Sequence, residues 1–490
     1  MRELSRILKS LCDVTAAVEQ EADRLMATWR SQIHRDEFRP SAENLARYVA
    51  LRHHDLRPLQ RRLARYGLSS LGRLESRVAP TLAAVTASLA ILSGTSKKAR
   101  HPSSSAFFAG ERRLAAQGRA IFGPVNHEAG VAVLITCPTE AAEDPTFMME
   151  LAKRRVEAVR INCAHDDAEA WGRMVAHLHA ACASTGHDIK VFMDLAGPKI
   201  RTGEVRSGKH KKAHKGDRLI FTAVGDLGAV ECDESHIAVE CTLSEVFSAA
   251  KPGDRVFIDD GKLSAEIEAC KSWGLLARVT VCKEEGVHLK SEKALNFPDT
   301  ALDIPALTKA DREALHFVAQ HAHGIEFSFV QSADDVRQLQ DALAELRPND
   351  WRKKILVLKI ETARGLVNLP DILVQAAGQQ PTAVMIARGD LSVEIGFART
   401  AEIQEELLWM AEAASVPSIW ATQVLETLVK TGTPSRGEMT DAAMAARAEC
   451  VMLNKGPHLL EAIDQLRLLF GRMEDHQHKK FAKLRRLHSW

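Results

Sequence analysis

From Val131 onward, short apolar runs alternate with helical stretches, and this alternation constrains the fold more than any other feature of the chain. The runs are Val131–Thr136, Ala158–Asn162, Lys190–Leu195, Gly324–Val330, Ile355–Glu361, Ala383–Ala387, Pro417–Thr422 and Cys450–Asn454. Most are continuously apolar, as strands buried on both faces are. Helical segments lie between most of them, among them Asp144–Arg155, Ala168–Ala183, Ser332–Leu346 and Thr400–Ala414. Eight strands in βα alternation predict an α/β chain with a (β/α)8 TIM barrel, whose site forms at the strands' C-terminal ends. Those ends carry Arg160, Asn162, Asp194, Lys359, Glu361, Arg388, Asp390 and Thr422.

The densest chemistry is in Lys354-Lys-Ile-Leu-Val-Leu-Lys-Ile-Glu361. Lys359 and Glu361 are two apart, so on a strand they point to the same side. An ammonium and a carboxylate closing an apolar strand require partners. A bound oxyanion and a metal ion would supply them, and a plain ion pair is the alternative. For Arg388-Gly-Asp390 the alternative is an exposed turn, and for Thr422 a capping hydroxyl.

One connection breaks the rhythm: more than a hundred residues separate the third and fourth strands, far more than a crossover needs. Residues 205–288 hold alternating segments (Arg218–Ala223, Ile237–Cys241, Arg255–Ile258, Leu263–Ala269, Leu275–Cys282) and the hairpin signal Asp259-Asp-Gly261. They read as an inserted all-β lid over the barrel mouth, with the barrel itself spanning 126–204 and 289–475. The basic run Lys209, Lys211, Lys212, Lys215 near its start reads as a solvated turn. Residues 1–125 read as a helical extension. Val14, Val18, Leu25 and Trp29 fall at helical spacing, Pro58 to Gly67 brackets a helix, Pro80–Leu92 is another, and Gly94–Ser105 is a loop. No chemistry is assigned to this region. Residues 476–490 read as a basic tail on a solvated terminal helix.

A net charge of +1 argues against nucleic acid as a partner. Nine scattered cysteines without a Cys-x-x-Cys suit free thiols in a reducing compartment. The longest apolar stretch, Val78–Leu92, is too short and too interrupted to span a bilayer. The expectation is a soluble cytoplasmic protein without a membrane partner.

Several segments together resemble the pyruvate kinase family, from about Val131 to Gly471. They are Val159-Arg-Ile-Asn162 with His165; Met193-Asp-Leu-Ala-Gly-Pro-Lys-Ile-Arg-Thr-Gly203; Phe257-Ile-Asp-Asp-Gly261; Asn296-Phe-Pro298 with Asp303-Ile-Pro305; Leu358-Lys-Ile-Glu361; Met385-Ile-Ala-Arg-Gly-Asp-Leu391; and Ala421-Thr-Gln-Val-Leu-Glu426 with Pro434-Ser-Arg436. Each is weak alone; their order, with an insertion where the family's lid lies, is specific. The resemblance implies phosphoryl transfer from phosphoenolpyruvate to ADP, giving pyruvate and ATP in glycolysis. It implies Mg²⁺, or Mn²⁺, on Glu361 and Asp390. Lys359, Thr422 and Arg160 would be catalytic, and Arg160, Lys359, Arg388, Gly389, Asp390 and Thr422 would bind substrate. His165, Arg201 and Lys293 would face the nucleotide.

The chain departs from that pattern in three places. Family members that need K⁺ hold it with Asn, Ser, Asp and Thr oxygens. Asn162 and Asp194 remain, but Ala164 and Leu195 replace the other two, and Lys199 stands where those members have Glu. A tethered ammonium can supply the charge K⁺ brings, so activity independent of K⁺ is expected. The family's further α/β effector domain is not expected after residue 471, which leaves a barrel-to-barrel homodimer open. Asn454-Lys-Gly456 stands where Ser-Gly-Glu is common, which leaves nucleotide preference open. Two other readings stay open: a Mg²⁺-dependent lyase or aldolase acting on a pyruvate enolate, which would need no nucleotide residues, and a non-catalytic regulatory relative.

Overall fold

The computed structural model describes residues 2–125, 130–207, 212–230, 236–302, 304–479 and 481–482. Lys209, Lys211, Asp303 and the tail residues Lys480, Lys483, Arg485 and Arg486 lie outside the described residues. Eight parallel strands close into a barrel: Ala132–Thr136, Ala158–Asn162, Lys190–Leu195, Gly324–Phe327, Ile355–Ile360, Thr382–Ala387, Ser418–Ala421 and Cys450–Leu453. Each pairs with its sequence neighbour, and the first closes on the eighth, Ala132 against Cys450. The chain is therefore an α/β protein with a (β/α)8 barrel, a second sheet and a helical N-terminal region.

The barrel interior is filled, not hollow. Leu134, Phe192, Val357, Met385 and Ile419 point inward, and Ile121 and Phe122 join the same cluster. These two end the helix Ala109–Phe122, which plugs the floor of the barrel just before the first strand; the Phe122 and Phe192 rings lie 6.1 Å apart. A floor closed by apolar side chains leaves the opposite, C-terminal mouth as the polar end.

The second sheet, inserted between the third and fourth barrel strands, has its own apolar core around Phe221, Val239, Ile258 and Ala277. Asp259, Asp260 and Gly261 all have positive φ (54°, 56° and 83°). That backbone suits the tight turn between two antiparallel strands, Arg255–Ile258 and Leu263–Lys271. The segments that join this sheet to the barrel meet at Arg201 and Ala294, which bridge antiparallel.

The N-terminal helices pack on the outer helices that follow the fifth and sixth strands. Arg2–Trp29 has a buried face of Ile7, Leu11, Val18 and Trp29 at helical spacing, and Trp29 Nε1 donates to Asp371 at 2.6 Å. The amides of His34 and Arg35 both donate to the Gly378 carbonyl at 2.9 Å. Asn44 Nδ2 donates to the carbonyls of Glu75 (2.7 Å) and Ala413 (2.9 Å). Gly378 permits a close approach, since a Cβ there would lie 2.5 Å from the Gln32 carbonyl oxygen. Gly378→Ala should lower stability by about 1–3 kcal/mol through this clash. An unchanged thermal midpoint would mean the helices do not rest on this turn.

The described residues of the tail, 476–479 and 481–482, do not form a helix. The last helix, Leu459–Glu474, ends before it, and Gln477–His478 pairs antiparallel with Phe481–Ala482. Lys479 Nζ donates to the Arg447 carbonyl at 2.8 Å and is ion-paired with Glu449. This local tether holds Lys479 against the residues that precede the eighth strand. In the region read as a loop over Gly94–Ser105, a one-turn helix begins at Ser104, capped by Ser103 Oγ.

Candidate active site

Two cations and three carboxylates converge at the C-terminal mouth of the barrel. Lys359, on the fifth strand, places Nζ 3.2 Å from both Asp194 oxygens, 3.2 Å from Glu361 Oε1 and 2.7 Å from Ser328 Oγ. Arg160, on the second strand, donates Nε to Asp194 (2.9 Å) and to Glu326 Oε2 (3.1 Å), and Nη1 to Thr136 Oγ1 (3.2 Å). Its Nη2 is also paired with Asp194. Asp194, Glu326, Lys359 and Glu361 are all buried.

Burial works against each of these charges, and their partners decide the outcome. Burial disfavours the Lys359 ammonium, but Asp194 and Glu361 outweigh it and hold Lys359 protonated. Burial likewise opposes the Arg160 charge, and Asp194 and Glu326 reverse that. Asp194 is buried, yet Arg160 and Lys359 keep it below the usual carboxylate range. Glu361 is pushed up, first by burial and then by the Asp390 charge, with Lys359 pulling the other way.

Glu326 is the residue that sequence reasoning passed over. It is completely buried on the fourth strand, its Oε1 has no partner among the described residues, and burial followed by the Asp194 charge raises it to about 7. The signal was present: Glu326 and Ser328 are two apart in an otherwise apolar run, and both meet the site. Unfolded, this carboxyl ionises near 4.5. Between that pH and 7 the folded chain holds the extra proton, so stability is greatest at the acid end and falls as pH rises through 7. Every tenfold by which folding tightens the carboxyl's hold on that proton corresponds to about 1.4 kcal/mol. Glu326→Gln should flatten this loss, which denaturant titrations at pH 5 and pH 8 would measure. Parallel curves for the two proteins would contradict it.

The turn after the sixth strand is not an exposed loop: Arg388-Gly-Asp390 opens the helix Arg388–Ile395. The amides of its first turn lie at the site, an end that favours anions. The Gly389 amide donates to Thr422 Oγ1 at 2.9 Å. Arg388 is fully engaged, donating to the carbonyls of Ala421 (3.0 Å) and Thr422 (2.6 Å) and pairing with Asp441, while it lies over the Trp420 ring. A guanidinium used in this way positions the 421–422 turn. Thr422, Gln423 and Leu425 all hold left-handed backbone (φ 65°, 56° and 48°). Side chains avoid that region by roughly 1–2 kcal/mol each, so neighbouring contacts must hold the turn.

Lys199 Nζ donates to both Asp390 oxygens, at 2.9 and 3.1 Å. Its charge thus enters from the Asp390 side, while Asn162 Oδ1 accepts from the Ala164 amide at 3.0 Å. Glu361 Oε2 accepts from the Phe329 amide at 2.7 Å. Among the described residues, no three His, Cys, Asp or Glu side chains gather as a metal cage. Two carboxylates, one raising the other's proton affinity, are the donor set of a hard divalent cation that keeps water and substrate oxygens in its shell. The residues present therefore fit Mg²⁺.

His165 shares a cavity of about 290 Å³ with Arg160, Asn162, Thr136, Asn454 and Lys455. Arg201 and Lys293 do not line it. They sit where the second sheet joins the barrel, with Arg201 Nη1 on the Glu292 carbonyl (3.2 Å) and Lys293 Nζ 3.5 Å from Asp259. A second cavity, about 350 Å³, separates that junction from the barrel loops beside Lys199, Phe329 and Glu394.

A family profile described as "Pyruvate kinase, barrel domain" matches residues 131–457. Several curated relatives named pyruvate kinase match the chain. The chain is 33% identical to that of Eimeria tenella over 317 residues, covering 64% of this chain and 56% of the relative. It is 30% identical to that of Geobacillus stearothermophilus over 342 residues (68% and 55%). It is 30% identical to pyruvate kinase 1 of Trypanosoma brucei brucei over 348 residues (69% and 65%). The chain thus spans little more than half the length of the first two relatives. No helix among the described residues is long and apolar enough to cross a membrane. The matched profile covers the whole run of barrel strands and the inserted sheet, and on that ground the chain belongs to the pyruvate kinase family.

Proposed function

We propose that the chain catalyses phosphoryl transfer from phosphoenolpyruvate to ADP, yielding pyruvate and ATP, with Mg²⁺ or Mn²⁺ and without a need for K⁺. The observation that carries this reading is the pair of cations, buried Lys359 and partly buried Arg160, set beside the Glu361 and Asp390 carboxylates. In the transfer, the bond between phosphorus and the enol oxygen breaks. A bond from phosphorus to a terminal oxygen of ADP forms, and the enolate takes a proton at carbon. Such a reaction needs positioning and charge neutralisation more than covalent chemistry.

Arg160 would grip the phosphoryl oxygens with its outer nitrogens while Asp194 and Glu326 fix Nε. Lys359 would neutralise the phosphoryl group and then the enolate. The helix end at Gly389 would receive the substrate carboxylate. Thr422 would face the carbon that is protonated, with water delivering the proton. Glu361 and Asp390 would hold a divalent cation, which would supply neutralising charge for the substrate oxygens. His165 would meet the nucleotide in the cavity it shares with Arg160, and closure of the inserted sheet would bring Arg201 and Lys293 to it. Lys199 would supply the charge that K⁺ brings in other members. The proposed setting is the cytoplasm.

Chelation is the direct test of the carboxylate assignment. With EDTA in excess, ATP formation should fall to background, and Mg²⁺ or Mn²⁺ should restore it. Undiminished activity in EDTA would overturn the assignment.

A further inference from the structure

At the end of the barrel opposite the site, a cavity of about 210 Å³ lies in the seam between the N-terminal helices and the barrel floor. Arg35 and Glu37 line it from the N-terminal region and Arg113 and Gln117 from the plug helix. Thr382 and Ser415 line it from the rim where the sixth and seventh strands begin.

Arg113 is half-buried, and among the described residues it has no hydrogen-bond or ion-pair partner; its Nε is buried without an acceptor. Burial and neighbouring Arg112 both work against its charge, and Glu43 alone favours it. Ser415 is 4% exposed, holds a left-handed backbone (φ 50°), and its hydroxyl has no partner among the described residues. Arg35 is the second guanidinium, held by Glu37 at 3.0 Å and by the Ala377 carbonyl at 3.1 Å. The Thr382 hydroxyl is already satisfied by the Gln380 carbonyl at 3.0 Å. Two guanidinium groups face one carboxylate, so the wall carries a surplus positive charge next to an unsatisfied hydroxyl. Half-buried charge and buried hydroxyl groups without partners are costly, and the ligand that removes both costs is an anion with several acceptor oxygens. The forked guanidinium is suited to that geometry.

We propose that this seam cavity binds a small oxyanion, a phosphate or a carboxylate, through Arg113, with Ser415 and Arg35 completing the cradle. Because its walls come from both parts of the chain, occupancy would fasten the N-terminal helices to the barrel floor. The proposal does not depend on the reaction catalysed at the other end.

The test is calorimetric titration of the full chain with inorganic phosphate and, separately, with succinate, followed by thermal unfolding at saturating anion. The wild type should bind at least one of the two and gain thermal midpoint; the better binder identifies the anion class. Arg113→Met should weaken that binding roughly tenfold or more, and Arg113→Lys less. Gln117→Glu keeps the side-chain shape and sets a carboxylate in the cavity; it should remove the same binding even if Arg113→Met does not fold. The proposal is overturned if the wild type binds neither anion, or if Gln117→Glu titrates like the wild type.

Discussion

Replacing Lys359 with Met should lower kcat by on the order of a thousandfold, with a smaller effect on KM for phosphoenolpyruvate. Met has the length to fill the space, so what is lost is the ammonium. In the wild type that ammonium contacts Asp194, Glu361 and Ser328 at 2.7–3.2 Å and is held protonated despite its burial. A fixed buried charge contributes more to a developing enolate than one in water, because little of it is screened. Its removal also leaves Asp194 and Glu361 short of a cation, and breaking a buried pair costs about 3–5 kcal/mol. Rates must therefore be read well below the shifted thermal midpoint, with circular dichroism establishing that the variant is folded. A folded variant within tenfold of the wild-type kcat would remove Lys359 from the chemistry.

The second large effect is expected at Lys199. Its ammonium bonds both oxygens of Asp390, and the Asp390 charge in turn raises Glu361. Lys199→Glu would set a third carboxylate against these two, changing the local charge by two units. About 2–3 kcal/mol of lost stabilisation, a reasonable size for a half-buried pair, corresponds to roughly a hundredfold in rate. The variant should therefore lose about two orders of magnitude in K⁺-free buffer and recover part of the loss when K⁺ is added. Full activity without K⁺ would discard the role given to Lys199.

The barrel was legible because parallel strands buried on both faces leave continuous apolar runs, as in Ala132–Thr136 and Ile355–Ile360. The Lys359–Glu361 pair was legible because spacing by two puts side chains on one face. Other features depend on partners far away in sequence. Arg388 gives no hint of Asp441, which saturates it from 53 positions on. The Arg388-Gly-Asp390 segment reads as a turn by composition, yet it opens a helix after a strand end, with the Gly389 amide on Thr422. Lys199 reads as a stand-in for K⁺ beside Asn162 and Asp194, but its reach to Asp390 is set by the barrel's three-dimensional register. The N-terminal helices showed their apolar faces but not the surface they cover, which is defined by Asp371, Gly378 and Ala413.

The central claim is that the cluster around Lys359 transfers a phosphoryl group. The most direct measurement is ATP formation from phosphoenolpyruvate and ADP with Mg²⁺, in K⁺-free buffer and then with K⁺ added. The account predicts ATP in both conditions. Activity only with K⁺ would keep the phosphoryl transfer and contradict the part assigned to Lys199; no ATP in either, from folded protein, would contradict the account itself.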